Sequence, residues 1–132
     1  MNDPPSPQRG RILVVDDDEM IGMLLRRMLG RDHEVVVVQE APAALQLLAG
    51  DDGFDVVLCD VMLPGMSGTE LLAALKARYT ALADRIVFLT GGAFSAEARA
   101  ALATATNPVL EKPFDRARLR AIVQEHVARR RS

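Results

Sequence analysis

The sequence predicts an α/β protein, a doubly wound (βα)5 sandwich in which a five-stranded parallel sheet carries helices on both faces. Three observations predict it: five short Val- and Ile-rich runs, segments of helical spacing between them, and turn or cap residues at the joins. The runs are Ile12 to Val15, Val35 to Val38, Val56 to Cys59, Ile86 to Leu89 and the weaker Val109-Leu110. None alternates with polar residues, so each reads as a strand buried on both faces.

The helices follow from period and punctuation. Ile21, Leu24, Leu25, Met28 and Leu29 fall at i, i+3, i+4, i+7 and i+8, and Leu119, Ile122, Val123, His126 and Val127 repeat that spacing. Plainer helical segments cover Ala41 to Ala49, Gly68 to about Tyr79, and Ser95 to Ala103. Gly30 and Gly50 follow the first two helices as stops, Ser67 or Gly68 can cap the third, and Ser95 can cap the fourth. The expected organisation is a Pro-rich tail or linker over 1–10, one domain over 11–128, and a frayed basic end at 129–132.

Composition sets the outer bounds. The chain has 132 residues, 49% of them apolar and 26% charged, which fits one globular domain with a core that needs no staples. A lone cysteine, Cys59, cannot make an internal disulfide or a zinc cluster, and it reads as a small core residue in a cytoplasmic protein. The start carries Pro4, Pro5 and Pro7 with no apolar run, so no signal peptide, anchor or membrane segment is expected. A net charge of −2 is too small and of the wrong sign to suggest nucleic-acid binding from bulk electrostatics, so no nucleic-acid partner is expected. Two biases survive the averaging: residues 1–66 have a net charge of −7 and 67–132 one of +5, and the basic residues are 14 Arg with only two Lys, Lys76 and Lys112.

In an open α/β sheet, ligands bind beyond the carboxyl ends of the strands. There the sequence places Asp16, Asp17, Asp18 and Glu19 after the first run, Asp60 after the third, Thr90, Gly91 and Gly92 after the fourth, and Lys112 and Pro113 after the fifth. Two carboxylates ~4 Å apart repel by roughly 4 kcal/mol at an effective dielectric near 20, so a cluster of Asp16, Asp17 and Asp60 must take up protons or a cation. An all-oxygen site with room for water suits Mg²⁺ and, beside it, a phosphoryl group. An ammonium and a hydroxyl would balance the phosphoryl oxygens, and Asp60 could attack phosphorus to give an aspartyl phosphate. Lys112 is singled out because a compact ammonium can follow a phosphoryl group in a way that a planar guanidinium cannot.

The strings Ile12-Leu13-Val14-Val15-Asp16-Asp17-Asp18-Glu19, Val57-Leu58-Cys59-Asp60-Val61-Met62-Leu63-Pro64-Gly65-Met66-Ser67-Gly68, Phe88-Leu89-Thr90-Gly91 and Glu111-Lys112-Pro113-Phe114 resemble the receiver domain of two-component response regulators. The resemblance covers about residues 10–127. It implies a flavodoxin-like sheet of order 2-1-3-4-5, a phosphoacceptor at Asp60, and a histidine kinase or histidine phosphotransfer protein as phosphoryl donor. It implies that Asp17, Asp60 and the backbone carbonyl of Met62 ligate Mg²⁺, that Asp16 helps through water, that Thr90 and Lys112 contact the phosphoryl group, and that Pro113 follows a cis bond. A bacterial, cytoplasmic, monomeric switch that signals to a downstream protein by conformational change is the resulting expectation, with no enzymatic activity beyond its own phosphorylation and dephosphorylation.

Other residues take plainer readings. Asp18 and Glu19 suit a helix N-terminus, Lys76 a solvated helix face, His126 packing, His33 an exposed position, and Arg129, Arg130 and Arg131 a helix C-terminus. Two positions depart from the family pattern: Val109 stands where many receivers carry a rotating Tyr or Phe, and Gly91 is smaller than the usual Ala. Two rival readings follow. The first is an aspartate-nucleophile phosphatase built on Asp16-Asp17-Asp18, which Met20 and the chain length disfavour. The second is a degenerate receiver that serves only as a protein-interaction module.

Overall fold

The structure, a computed structural model, describes residues 8–92 and 95–131. The strands are β1 (Arg11–Val15), β2 (Glu34–Val38), β3 (Val56–Asp60), β4 (Ile86–Thr90) and β5 (Val109–Glu111), all parallel, in the order β2-β1-β3-β4-β5. The helices are α1 (Glu19–Leu29), α2 (Ala41–Gly50), α3 (Gly68–Arg78), a short α4 (Thr80–Ala83), α5 (Ala96–Thr104) and α6 (Arg116–Arg131). The fold class and strand order are those expected. Each strand extends a residue beyond its apolar run, so Asp60 and Thr90 are themselves the last residues of β3 and β4.

The two faces of the sheet separate by parity along the strands. Ile12 and Val14 join Leu58, Val87 and Leu89 under Leu25, Met28 and Leu29 of α1 and Leu119, Val123 and Val127 of α6. Leu13 and Val15 join Val57, Cys59, Ile86 and Phe88 under α2, α3 and Ala98 of α5. Burying each such Leu or Val contributes about 1.5–3 kcal/mol, so two interleaved cores, one per face, hold the sandwich together.

Local chemistry explains the ends of the elements. Ser67 accepts from the Glu70 N–H while the Glu70 carboxylate accepts from the Ser67 N–H, a complete capping box that starts α3. Ser95 starts α5 by accepting from the Ala98 N–H, and Asp18 starts α1 by accepting from the Met20 N–H. Pro42 occupies the first turn of α2, where its missing N–H costs no hydrogen bond.

Several expectations change. Val35 to Val38 are only half-buried, because β2 is an edge strand with one neighbour. The helix expected over Gly68 to about Tyr79 does end there, at Arg78, but an unexpected separate turn, α4, follows it. Gly50 is the last residue of α2 and Asp51 is its cap, whereas Gly30 does follow α1. The basic end is helical through Arg131, and Arg130 bonds Asp55. His33 is buried, not exposed, and its ring is hydrogen-bonded to Gly10 and Gln124. Of the expected tail, residues 1–7 lie outside the described residues, and Gly10 is buried.

Candidate functional site

The pairing register builds the site. Val15 pairs with Cys59, so Asp16 and Asp60 leave adjacent strands side by side at the carboxyl edge of the sheet. On the other flank Asp60 pairs with Leu89 and Thr90 with Glu111, and the Lys112 N–H donates to the Thr90 carbonyl at 2.8 Å. That bond continues the sheet by one residue beyond β5 and brings Lys112 to the same edge. The Lys112-Pro113 peptide is cis.

Asp16 is fully buried and Asp60 nearly so, while Asp17 is exposed. Carboxylate oxygens of Asp16, Asp17 and Asp60 lie within 4.8 Å of one another. The Lys112 ammonium sits 3.0 Å from Asp16 Oδ2 and 3.5 Å from Asp60 Oδ2, closer to the more deeply buried acid. Asp16 Oδ1 accepts from the Asp18 N–H at 2.9 Å, and Asp60 Oδ1 accepts from the Met62 N–H at 3.2 Å. Both acids are therefore held by the loops that follow their strands, which orients the remaining oxygens toward the common pocket.

Electrostatics follow from this crowding. Burial first, and then the neighbouring Asp16, push the Asp60 carboxyl above its ordinary value, against the downward pull of Lys112 and the Met62 N–H. Burial works against the Lys112 ammonium, but its hydrogen bond to Asp16 and the charges of Asp60 and Asp16 outweigh that and raise its pKa. Three carboxylates against one ammonium leave two negative charges uncompensated. A divalent cation with oxygen preference satisfies that deficit, and the donor set fits Mg²⁺, which takes few carboxylates and keeps waters.

The other expected site residues are placed as follows. Thr90 is buried, and its hydroxyl accepts from the Gly92 N–H at 3.2 Å and lies 3.4 Å from the Gly92 carbonyl, so it is engaged by its own loop. Met62 meets Asp60 through its N–H, whereas the family resemblance implied a role for its carbonyl. Cys59 is a core thiol with its pKa pushed up by burial first and then by Asp60 and Asp16, as suits an inert residue. Val109 is half-buried beside fully buried Phe88, its partner across β4 and β5.

Sequence reasoning missed Gly68 as a shaping residue. A Cβ there would lie 2.3 Å from the Asp60 carbonyl oxygen and 3.1 Å from the Val61 Cα, and the Gly68 N–H donates to the Val61 carbonyl at 2.9 Å. The first residue of α3 thus presses directly on the backbone that presents Asp60. The available signal was a helix-opening glycine next to a serine that already caps the helix.

Fold and site together define a doubly wound α/β protein with an acidic, lysine-bearing pocket at the carboxyl edge of its sheet. Within that class the chain belongs to the response regulator receiver family: the family model for the response regulator receiver domain matches residues 12–124. It is 36% identical over 114 residues to the uncharacterized transcriptional regulatory protein YrkP of Bacillus subtilis, covering 86% of this chain and 47% of that protein. It is 34% identical over 124 residues to the sensor protein GacS of Pseudomonas syringae pv. syringae, covering 91% of this chain and 14% of that one. The signal receiver domain of an HD domain-containing protein from Pseudomonas fluorescens Pf-5 superposes with a TM-score of 0.80 at 26% identity, over 94% of this chain and 98% of that one. The chain thus spans about half or less of the two curated relatives named. The general function of its family, in bacterial two-component systems, is to be phosphorylated by a kinase.

Proposed function

We propose that this chain is a phosphoryl switch in which Asp60 accepts the phosphoryl group from a histidine kinase or histidine phosphotransfer protein. The single observation that carries this reading is the convergence of Asp16, Asp17, Asp60 and Lys112 on one pocket at the carboxyl edge of the sheet. A carboxylate oxygen of Asp60 attacks phosphorus, a P–O bond forms, and the donor's P–N bond breaks with the electron pair leaving on the imidazole. Lys112, already against both buried acids, turns its ammonium to the phosphoryl oxygens, and the Thr90 hydroxyl leaves Gly92 to donate to one of them. Asp17, Asp60 and the Met62 carbonyl would hold Mg²⁺, with Asp16 helping through water, and the ion when bound would offset the negative charge that carboxylate and phosphoryl group bring together.

In this reading residues 11–128, with the buried Gly10, are the switch, and the protein works as a cytoplasmic monomer toward a downstream protein, either alone or as part of a hybrid kinase. Among the described residues no helix is long and apolar enough to cross a membrane, which supports that placement. Membership of the receiver family weighs against the phosphatase alternative. The test is intact-mass measurement after incubation with a small phosphodonor. One labile phosphoryl adduct, dependent on Mg²⁺ and absent in Asp60→Asn, is expected. An unmodified wild type under conditions that label another receiver, or an adduct that persists in Asp60→Asn, overturns the reading.

A further inference from the structure

The end of the sheet opposite the acidic pocket carries a second polar assembly, built around His33. The ring is 3% exposed, and its Nδ1 accepts from the Gly10 N–H at 3.0 Å. An Nδ1 that accepts has no proton, so the neutral ring carries its proton on Nε2. That atom lies 3.2 Å from the side-chain amide of Gln124 in α6, which must present its oxygen to the ring. One residue on, the Arg11 N–H donates at 2.8 Å to Asp55 Oδ2, while Asp55 Oδ1 accepts at 2.7 Å from the Arg130 guanidinium, also in α6. Two buried side chains therefore take consecutive amides where the chain enters β1, and both reach the last helix. Gly10 has no room to move toward that helix, because a Cβ there would lie 2.3 Å from Val127 Cγ2.

We propose that His33 is a proton-operated latch: acidification releases the Gly10 amide and the C-terminal turns of α6 together, while the acidic pocket at the other end of the strands stays assembled. Protonation puts a second N–H on the ring, and Nδ1–H then faces the Gly10 N–H, two donors with no acceptor in a buried place. Among the groups that face the ring, Asp32 after α1 and Asp55 at the head of β3 favour its charge, Arg9 before β1 opposes it, and α6 offers the neutral Gln124, its Arg130 being bound to Asp55. Burial opposes the charge most and keeps the ring below its ordinary value. With the folded value depressed, the contribution to stability is complete above the unfolded value of about 6.5 and is lost as pH falls through the folded value.

Amide hydrogen exchange of the whole chain, corrected for the intrinsic pH dependence of exchange, tests this in the wild type and in His33→Asn, whose amide oxygen can accept from Gly10 without titrating. Between about pH 7.5 and about pH 5.5, protection of Gly10 and of residues 124–130 should fall about threefold or more in the wild type, with β3 and β4 unaffected and His33→Asn flat. Equal pH dependence in the two proteins, or a fall that covers the whole sheet, overturns the latch. A direct NMR titration of the His33 ring decides the matter even where His33→Asn does not fold: titration at or above about 6.5 with no response of the Gly10 amide sinks the proposal.

Discussion

Lys112 illustrates what one residue of the right shape does in this protein. Its ammonium contacts two acids at the ends of different strands, Asp16 just past β1 and Asp60 closing β3, and its backbone N–H extends the β4–β5 pairing. A guanidinium keeps the charge but is planar and larger, and it prefers a fork to one carboxylate over a point contact with two. Lys112→Arg should therefore leave the fold intact by circular dichroism while lowering the rate of adduct formation from a small phosphodonor about tenfold or more. An unchanged rate would mean that charge alone suffices. The scarcity of lysine marked Lys76 and Lys112 alike, and the place after the fifth apolar run singled out Lys112, whose ammonium the structure sets against Asp16 and Asp60 at once. His33 is the opposite case. Nothing in its neighbours along the chain shows that Gly10 and Gln124 enclose it, since both partners come from distant segments.

At the scale of elements, the β3–α3 junction couples helix start to site geometry. Ser67 and Glu70 fix where α3 begins, and Gly68 then packs on the Asp60 carbonyl. Helix propensity alone predicts that Gly68→Ala stabilises by up to about 1 kcal/mol. The close approach predicts the reverse, a loss of about 1–3 kcal/mol, because backbone rather than a flexible side chain must give way. Chemical denaturation separates these by sign. The same variant should slow adduct formation on Asp60, because the displaced backbone carries that carboxylate. Gly65, at φ +75, lies in the same loop and takes a conformation that other residues rarely adopt. Both glycines stand in the quoted motif, yet only the packing of α3 on β3 distinguishes the one that lacks space from the one that needs left-handed backbone.

Across the whole molecule, the two ends of the sheet carry different kinds of polar assembly. At the carboxyl edge Asp16, Asp17 and Asp60 face the single ammonium of Lys112, an excess of two negative charges. The opposite edge is internally satisfied: Arg11 bonds Glu34 and Asp51 and stacks over Phe54 at 4.4 Å, and Asp55 binds the Arg11 N–H and Arg130. Asp55 is fully buried, so Asp55→Ala strands the Arg11 N–H and leaves the Arg130 guanidinium with the Gly53 carbonyl, and a loss of about 1–3 kcal/mol in denaturant unfolding is expected. A loss below about 0.5 kcal/mol would show that water replaces the carboxylate without cost. The acidic first half of the sequence divides accordingly. Asp16, Asp17 and Asp60 form the pocket, Glu34, Asp51 and Asp55 tie the far edge, and Asp18 caps α1.

Legible in the chain alone were the fold class, the apolar runs of the five strands and the polar residues that cluster at the carboxyl edge. Those signals are local: apolar runs of strand length, helical spacing between them, and polar residues just past each run, which parallel alignment necessarily brings to one edge. Tertiary structure alone decided that β2 is half-exposed, that Arg130 belongs to an ion pair, that Gly68 presses on Asp60 and that His33 is buried as an acceptor. Each of these depends on which distant segment lies alongside. That is settled by the packing of helices on the two faces of the sheet, and no window of the chain contains it.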